Sequence, residues 1–377
     1  MSNDGLRQAG GAVAVVASRK EINHVSFEDT IKELVASVVP ADPEAAAAAA
    51  ERHDQLTKPK GSLGELEAIG IRLAAMAGRS PAPIPRRPAV VVAAGDHGVL
   101  AQGVSPWPKE VTASMVAGFC ANHAAVNALA GVVGAEVTVL DVGVASDLPE
   151  HPRLRRMKVR LGTGDLSETA AMSREEAAQA VLAGASVAKD LIAGGADLLC
   201  PGDMGIGNTT PSACLIAAFA GRSPEEVTGR GTGIDDEAWA LKVKVVERAL
   251  EVHDPDTSDP LGVLAALGGL EHAAIAGVIL AGAAARVPVV LDGVNTDAAA
   301  LVACSLCPNA VGYLIAGHLS VEPGARVALE KLKLKPLVDL GMRLGEGTGA
   351  LLAVPIVRAA AAALAEMATF EEAGIPT

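Results

Sequence analysis

A short, uniformly apolar run at 89–94 is echoed by mostly apolar runs at 137–142, 197–200, 287–291 and 311–316 in the middle of the chain. Runs of this length without alternation read as strands of a parallel sheet buried on both faces. Between them, apolar residues recur at helical spacing over 109–130, 173–194, 237–252, 262–285 and 296–307. The alternation predicts a mostly parallel α/β sheet wrapped by right-handed crossovers. Upstream, Phe27, Ile31, Leu34 and Val35 mark one helix, and Pro43 stands at the first helical position of an alanine-rich second. Ser62 and Glu65 have capping-box spacing ahead of a third, which runs to Met76. The proline-rich stretch 80–88 reads as a linker, and helix returns after Pro323 to about residue 368.

On this pattern residues 85–319 form a large α/β domain. Residues 26–84 and 320–377 supply flanking helices and a small helical domain built from both chain ends. Residues 1–25 mix glycine and polar residues without periodicity and are expected to be poorly ordered.

Composition narrows the picture. The 377 residues are 50% hydrophobic but only 2% aromatic, so the core is alanine, valine and leucine, with glycine at close contacts. A net charge of −13 and a pI of about 5.1, with no basic cluster, argue against nucleic acid or an anionic membrane as partner. The apolar run 273–285 is well short of a membrane span. Five scattered cysteines with a single Cys-x-x-Cys, at Cys304 and Cys307, fit reduced core residues rather than a zinc site, and the chain reads as cytoplasmic.

Ligands on such sheets bind beyond the carboxyl ends of the strands. There the sequence places Asp96 with His97, then Asp141, Asp203, Asp292 with Asn295, and His318. Asp96-His97 has no second histidine at ligand spacing, which favours hydrogen bonding at a strand end over metal ligation. Gly202-Asp-Met-Gly-Ile-Gly-Asn-Thr-Thr-Pro211 follows a strand and opens a helix. Its turn can aim successive N–H groups at an anion, with hydroxyls and the helix dipole in support. The plain alternative is a tight turn capped by Thr209. It is neither a Walker A sequence nor a dinucleotide fingerprint. Thr228-Gly-Arg-Gly-Thr-Gly233 is a second glycine-rich loop, and Lys242 on the next helix is either a point charge for a phosphate or a solvated lysine. Gly341-Met-Arg-Leu-Gly-Glu-Gly-Thr-Gly349 sets one carboxylate, Glu346, between glycines at the door of an apolar helix. Desolvation there would raise its pKa towards that of a useful base; the plain alternative is a helix-start acid.

Taken together these motifs resemble the nicotinate-nucleotide–dimethylbenzimidazole phosphoribosyltransferases of cobalamin nucleotide-loop assembly. The matching pieces are Lys58-Pro-x-Gly-Ser-Leu-Gly64, Gly95-Asp-His-Gly-Val99, Pro108-Lys-x-Val-Thr112, Asp141-Val-Gly143 and Gly202 to Pro211. Leu291-Asp-Gly293, His318 to Gly324 and Met342-Arg-Leu-Gly-Glu-Gly-x-Gly-Ala350 complete them, so the resemblance runs unbroken over about 40–365.

The resemblance implies a Rossmann-like large domain, a small helical domain from both chain ends, and a homodimer. It implies transfer of phosphoribose from nicotinate mononucleotide to 5,6-dimethylbenzimidazole, giving α-ribazole 5′-phosphate and nicotinate, with no cofactor or metal. Glu346 matches the general base and Asp203 the supporting acidic residue, where several relatives carry Glu. Gly205, Gly207, Asn208, Thr209 and Thr210 match the phosphate and ribose loop, with Lys242 as its cation. Trp107, Met115, Met204 and Leu344 are expected to line the base pocket. Trp107 falls where relatives carry Ser, and Met115 where they carry Gln. The rival from another class is a non-catalytic nucleotide-binding or regulatory module on the same fold.

Overall fold

The computed structural model describes residues 26–231 and 233–376, so the expectation for residues 1–25 lies outside it. Six parallel strands form one sheet: β1 (Pro88–Gly95), β2 (Glu136–Gly143), β3 (Leu154–Arg156), β4 (Leu198–Met204), β5 (Val289–Leu291) and β6 (Leu314–Ala316). Their order is β3-β2-β1-β4-β5-β6, that of a doubly wound sheet whose direction of winding reverses between β1 and β4. All eight residues of β1 are buried, as a strand covered on both faces requires. The expected parallel α/β architecture is present.

Two groups of helices cover the sheet. Arg174–Ala193 and Leu270–Ala284 pack against each other and against β1 and β2. Their contact is unusually close, because a Cβ on Gly184 would overlap the carbonyl of Ala274, and one on Gly277 that of Val181. Only glycine fits at such a crossing. The other group comprises Glu110–Cys120, Ala125–Val133 and the long Thr348–Glu366 helix. Thr348–Glu366 also packs on Glu65–Ala77, and Ala49, Ala74 and Leu364 form a small apolar cluster of their own. Residues from near both chain ends thus meet, tied further by a bridge between Leu56 and Thr369.

The structure corrects several expectations. The β3 strand was missed because Leu154 is its only buried residue and it carries no apolar run. The predicted helix over 109–130 is two helices, interrupted at 121–124 where Asn122 takes a positive φ of 64°. That over 262–285 is also two, Pro260–Leu267 and Leu270–Ala284, parted by Gly268 and Gly269. Both breaks matter to the site described next. Ser62 forms no capping box: the helix starts at Glu65 after Gly64, and the Leu63 amide donates to Glu67 instead (3.0 Å). Phe27–Ala36 is a flanking helix that packs on Arg174–Ala193, with Arg174 bridging to Glu28 at 2.7 Å. Its N-cap is Ser26, whose hydroxyl accepts the Asp29 N–H.

Candidate active site

The carboxyl end of β4, with the segments that follow β5 and β6 and part of the β1–β2 connection, lines a cavity of about 510 Å³. It lies where the winding of the sheet reverses, the place such folds reserve for ligands. Of the residues expected to carry the reaction or hold the substrates, all but Thr210 line it. Thr209 and Thr210 follow each other in the first turn of the Thr209–Ala220 helix, about 100° apart around its axis. Thr209 therefore faces the cavity, while Thr210 is fully buried behind it and is removed from the lining.

One end of the cavity is cationic. Lys242 sits on the Asp236–His253 helix, is 1% exposed, and is no solvated lysine. Its Nζ donates to the Thr209 hydroxyl (2.7 Å) and to the Gly229 carbonyl (3.2 Å). Burial pulls its pKa down to about 8, with Glu322 acting in the opposite sense. Glu322, unremarked in the sequence, accepts the Gly231 N–H (2.8 Å), while Arg343 donates to the Gly231 carbonyl (3.1 Å). The second glycine-rich loop is thereby pinned from two sides.

At the floor stand two carboxylates. Asp203 ends β4, and its Oδ2 accepts the side-chain amides of Asn208 (2.8 Å) and Asn295 (2.5 Å). Burial lifts its pKa to about 6 against the pull of Asn295 and His272. Glu346 is 4% exposed and has a positive φ of 64° in the glycine-rich loop. Its Oε2 accepts the Val126 N–H at 3.2 Å. That amide lies in the first turn of Ala125–Val133, so the break at 121–124 is what aims a helix N-terminus at the carboxylate. Burial raises the Glu346 pKa, the Val126 amide opposes, and the charge of Asp203 adds to the rise.

The loop bearing Glu346 is fixed from beneath. Asp292, at the end of β5, accepts N–H groups of Gly347 (3.0 Å), Gly349 (2.6 Å) and Ala350 (3.3 Å), capping the Thr348–Glu366 helix across the chain. Its neighbour His318 approaches at 3.6 Å. On the other side, a Cβ on Gly202 would run into the Glu346 backbone, so the loop rests directly on β4. The cavity's apolar wall is built differently: Trp107 is 52% and Leu344 56% exposed, whereas Met204 is buried beside Asp203.

Other polar residues at strand ends take structural places. Asp96 accepts the Ala145 N–H (2.7 Å) and Asp141 that of Val144 (3.0 Å), neither lining the cavity. His97 meets Glu271 at 2.9 Å, and Glu271 meets His272 at 2.8 Å, all fully buried. The sequence signal for this cluster is a Glu-His pair one residue after two glycines in an otherwise apolar stretch.

A buried pair of acids at the switch point of a doubly wound sheet, facing a glycine-and-threonine helix start with a lysine, suits transfer of a phosphorylated sugar. A phosphoribosyltransferase family model matches residues 38–375, and the chain belongs to that family. A protein of Salinispora tropica named nicotinate-nucleotide–dimethylbenzimidazole phosphoribosyltransferase is 55% identical over 359 residues, spanning 92% of this chain and 99% of that one. One of the same name from Chloroflexus aggregans is 55% identical over 336 residues, 89% of this chain and 95% of its own. The crystal structure of the Thermus thermophilus protein of that name superposes with a TM-score of 0.85 at 51% identity, covering 89% of this chain and 99% of that one. The resemblance drawn from the motifs is borne out.

Proposed function

We infer that this protein moves 5-phosphoribose from nicotinate mononucleotide to 5,6-dimethylbenzimidazole, giving α-ribazole 5′-phosphate and nicotinate for the lower ligand of cobalamin. The observation that carries the reading is Glu346, a buried carboxylate of raised pKa in a cavity that Lys242 and the start of the Thr209–Ala220 helix also line.

Nicotinate leaves the nucleotide neutral at its ring nitrogen, so the departing group needs no acid. One ring nitrogen of the benzimidazole attacks C1′ from the opposite face, and the bond to nicotinate breaks as the new one forms. The other ring N–H gives its proton to Glu346, the general base. Asp203, ionised beside it, stabilises positive charge developing on the ribose. The amides of Gly205 and Gly207, with Asn208, Thr209 and Lys242, hold the ribose and phosphate at a helix N-terminus. Trp107, Met115, Met204 and Leu344 offer flat and polarisable surface to the base.

The working unit is a homodimer in the cytoplasm. Support comes from the Glu110–Val133 stretch, apolar yet only 28% buried in one copy, with Val132 81% exposed. Five free thiols fit a reducing compartment. The small helical domain is best drawn around Pro43–Gln55, Glu65–Ala77 and Thr348–Glu366.

Incubation with nicotinate mononucleotide and dimethylbenzimidazole, followed by mass spectrometry, tests the reading. The riboside phosphate and nicotinate should accumulate in equal amounts. Binding of both ligands with no product would leave the non-catalytic module standing.

A further inference from the structure

The end of the cavity where Lys242 meets the Thr209–Ala220 helix is less positive than its lysine suggests. Lys242 is the one buried lysine or arginine in the lining, and it already donates to the Thr209 hydroxyl (2.7 Å) and the Gly229 carbonyl (3.2 Å). Glu322 is buried in the same lining, and its charge reaches the lysine strongly enough to oppose the fall in the lysine pKa. One cation against one carboxylate leaves no net side-chain charge. A phosphate monoester brings about −1.5 to −2 at neutral pH, and a helix N-terminus offsets roughly half a charge of that. Binding it calls for a further cation.

Two arginines also line the cavity. Arg230 is already engaged: it pairs with Asp236, donates to the Ile234 carbonyl (3.1 Å) and lies over the Trp239 ring at 5.8 Å. Arg343 forms no ion pair among the described residues. Its Nη1 donates to the Gly231 carbonyl (3.1 Å), which leaves four of its five N–H donors for an anion. That carbonyl is well placed. Gly231 rests so close to the lysine that a Cβ on it would stand 3.1 Å from the Thr209 hydroxyl and 3.6 Å from Lys242 Nζ. Its N–H is held from the other side by Glu322 (2.8 Å), so the direction of the carbonyl is set. Thr209 accepts from Lys242 and therefore keeps its own proton to donate to the same anion.

We propose that Arg343 is a substrate-binding residue whose guanidinium supplies the second positive charge for the 5′-phosphate and makes the site choose nucleotides over nucleosides. Its planar fork suits two phosphate oxygens at once, where an ammonium acts as a single point. The nicotinate carboxylate is the other anion of the reaction, but it is carried on the leaving base, across the ribose from the phosphate. Arg343 is anchored instead to the loop that rests on Thr209 and Lys242. The inference rests on the transferase reading and on the Lys242 end as the place of the phosphate.

The test compares two variants. Arg343→Gln keeps one N–H for the Gly231 carbonyl but removes the charge and the fork, and Arg343→Lys keeps the charge alone. Calorimetry at neutral pH measures nicotinate mononucleotide, nicotinamide mononucleotide and nicotinate riboside on each. Arg343→Gln should weaken both mononucleotides by about tenfold or more, the worth of a charge-assisted hydrogen bond, with the riboside within about twofold of wild type. Arg343→Lys should recover part of the loss. In turnover with dimethylbenzimidazole, KM for nicotinate mononucleotide should rise by the same factor while kcat stays within about twofold, the mark of binding shared by ground and transition states. A loss confined to nicotinate mononucleotide would make Arg343 the reader of the carboxylate and overturn the proposal. Unchanged mononucleotide affinities, as a solvated arginine gives, would overturn it too, as would an equal loss for the riboside, the sign of a disturbed loop. Mononucleotides held through Arg343 by a protein that forms no riboside phosphate would leave the inference standing and remove the transferase reading instead.

Discussion

Replacing Glu346 by glutamine is the sharpest available perturbation. The side chain keeps its length and one carbonyl oxygen, which can still accept the Val126 N–H at 3.2 Å, so the loop has no reason to move. The loop itself is held by Asp292 and by the contact with Gly202, neither of which involves the Glu346 side chain. At 4% exposure the carboxylate already bears a desolvation penalty, so neutralising it should leave stability unchanged or slightly higher. What disappears is proton acceptance. A positioned base typically contributes ~10²–10⁴-fold, or roughly 2.7–5.5 kcal/mol of barrier. We therefore expect kcat to fall by that factor while KM for nicotinate mononucleotide stays within about twofold, the pattern of an interaction made only in the transition state. The assay is discontinuous chromatography of nicotinate and riboside phosphate with both substrates saturating, alongside a thermal melt. A folded variant retaining more than about a tenth of wild-type kcat would mean the proton goes elsewhere.

Three further outcomes follow from the same geometry. Thr209→Val and Lys242→Ala should each weaken nicotinate mononucleotide by about tenfold or more, the worth of a charge-assisted hydrogen bond, while dimethylbenzimidazole affinity holds; calorimetry with each ligand checks this. The profile of kcat/KM for the nucleotide should be bell-shaped, rising with pH as Asp203 ionises near 6 and falling as Lys242 loses its proton near 8. A flat profile across that window would count against both assignments. Met115→Gln should change the ranking of benzimidazoles in paired competition assays, because it sets a polar group into a wall that otherwise rewards size alone; an unchanged ranking would mean Met115 does not touch the base.

The strands and their polar ends are legible because β1 is a continuous apolar run and β2 and β4 are mostly apolar, a signal that survives without tertiary context. β3 is not, since an edge strand of Leu-Arg-Arg hides only Leu154 from water. Within the cavity the glycine-rich stretches announced themselves through composition. Thr210 misled because adjacent helix residues face different ways, which no motif spells out. The groups behind the site were silent for a different reason. His97 and Glu271 belong to separate elements, and only the packing of those elements brings the two together. Lys242 was ambiguous until its burial was known, because a helix lysine looks the same in sequence whether it reaches water or not.

The bare contact between Gly202 and the backbone of Glu346 has a consequence for how this enzyme can change over generations. The spacing of the two acids is set by main chain on main chain, with no side chain between them to be swapped. Drift can therefore hardly retune the chemical step by degrees, since almost any substitution at Gly202 abolishes the fit outright. The wall of Trp107 and Leu344 is under no such constraint, being half open to solvent and free to exchange one residue for another. A lineage meeting a new aromatic acceptor can adapt by altering that wall alone. Diversity in the bases accepted should accordingly accumulate at positions 107, 115 and 344, while the reaction performed on them stays the same.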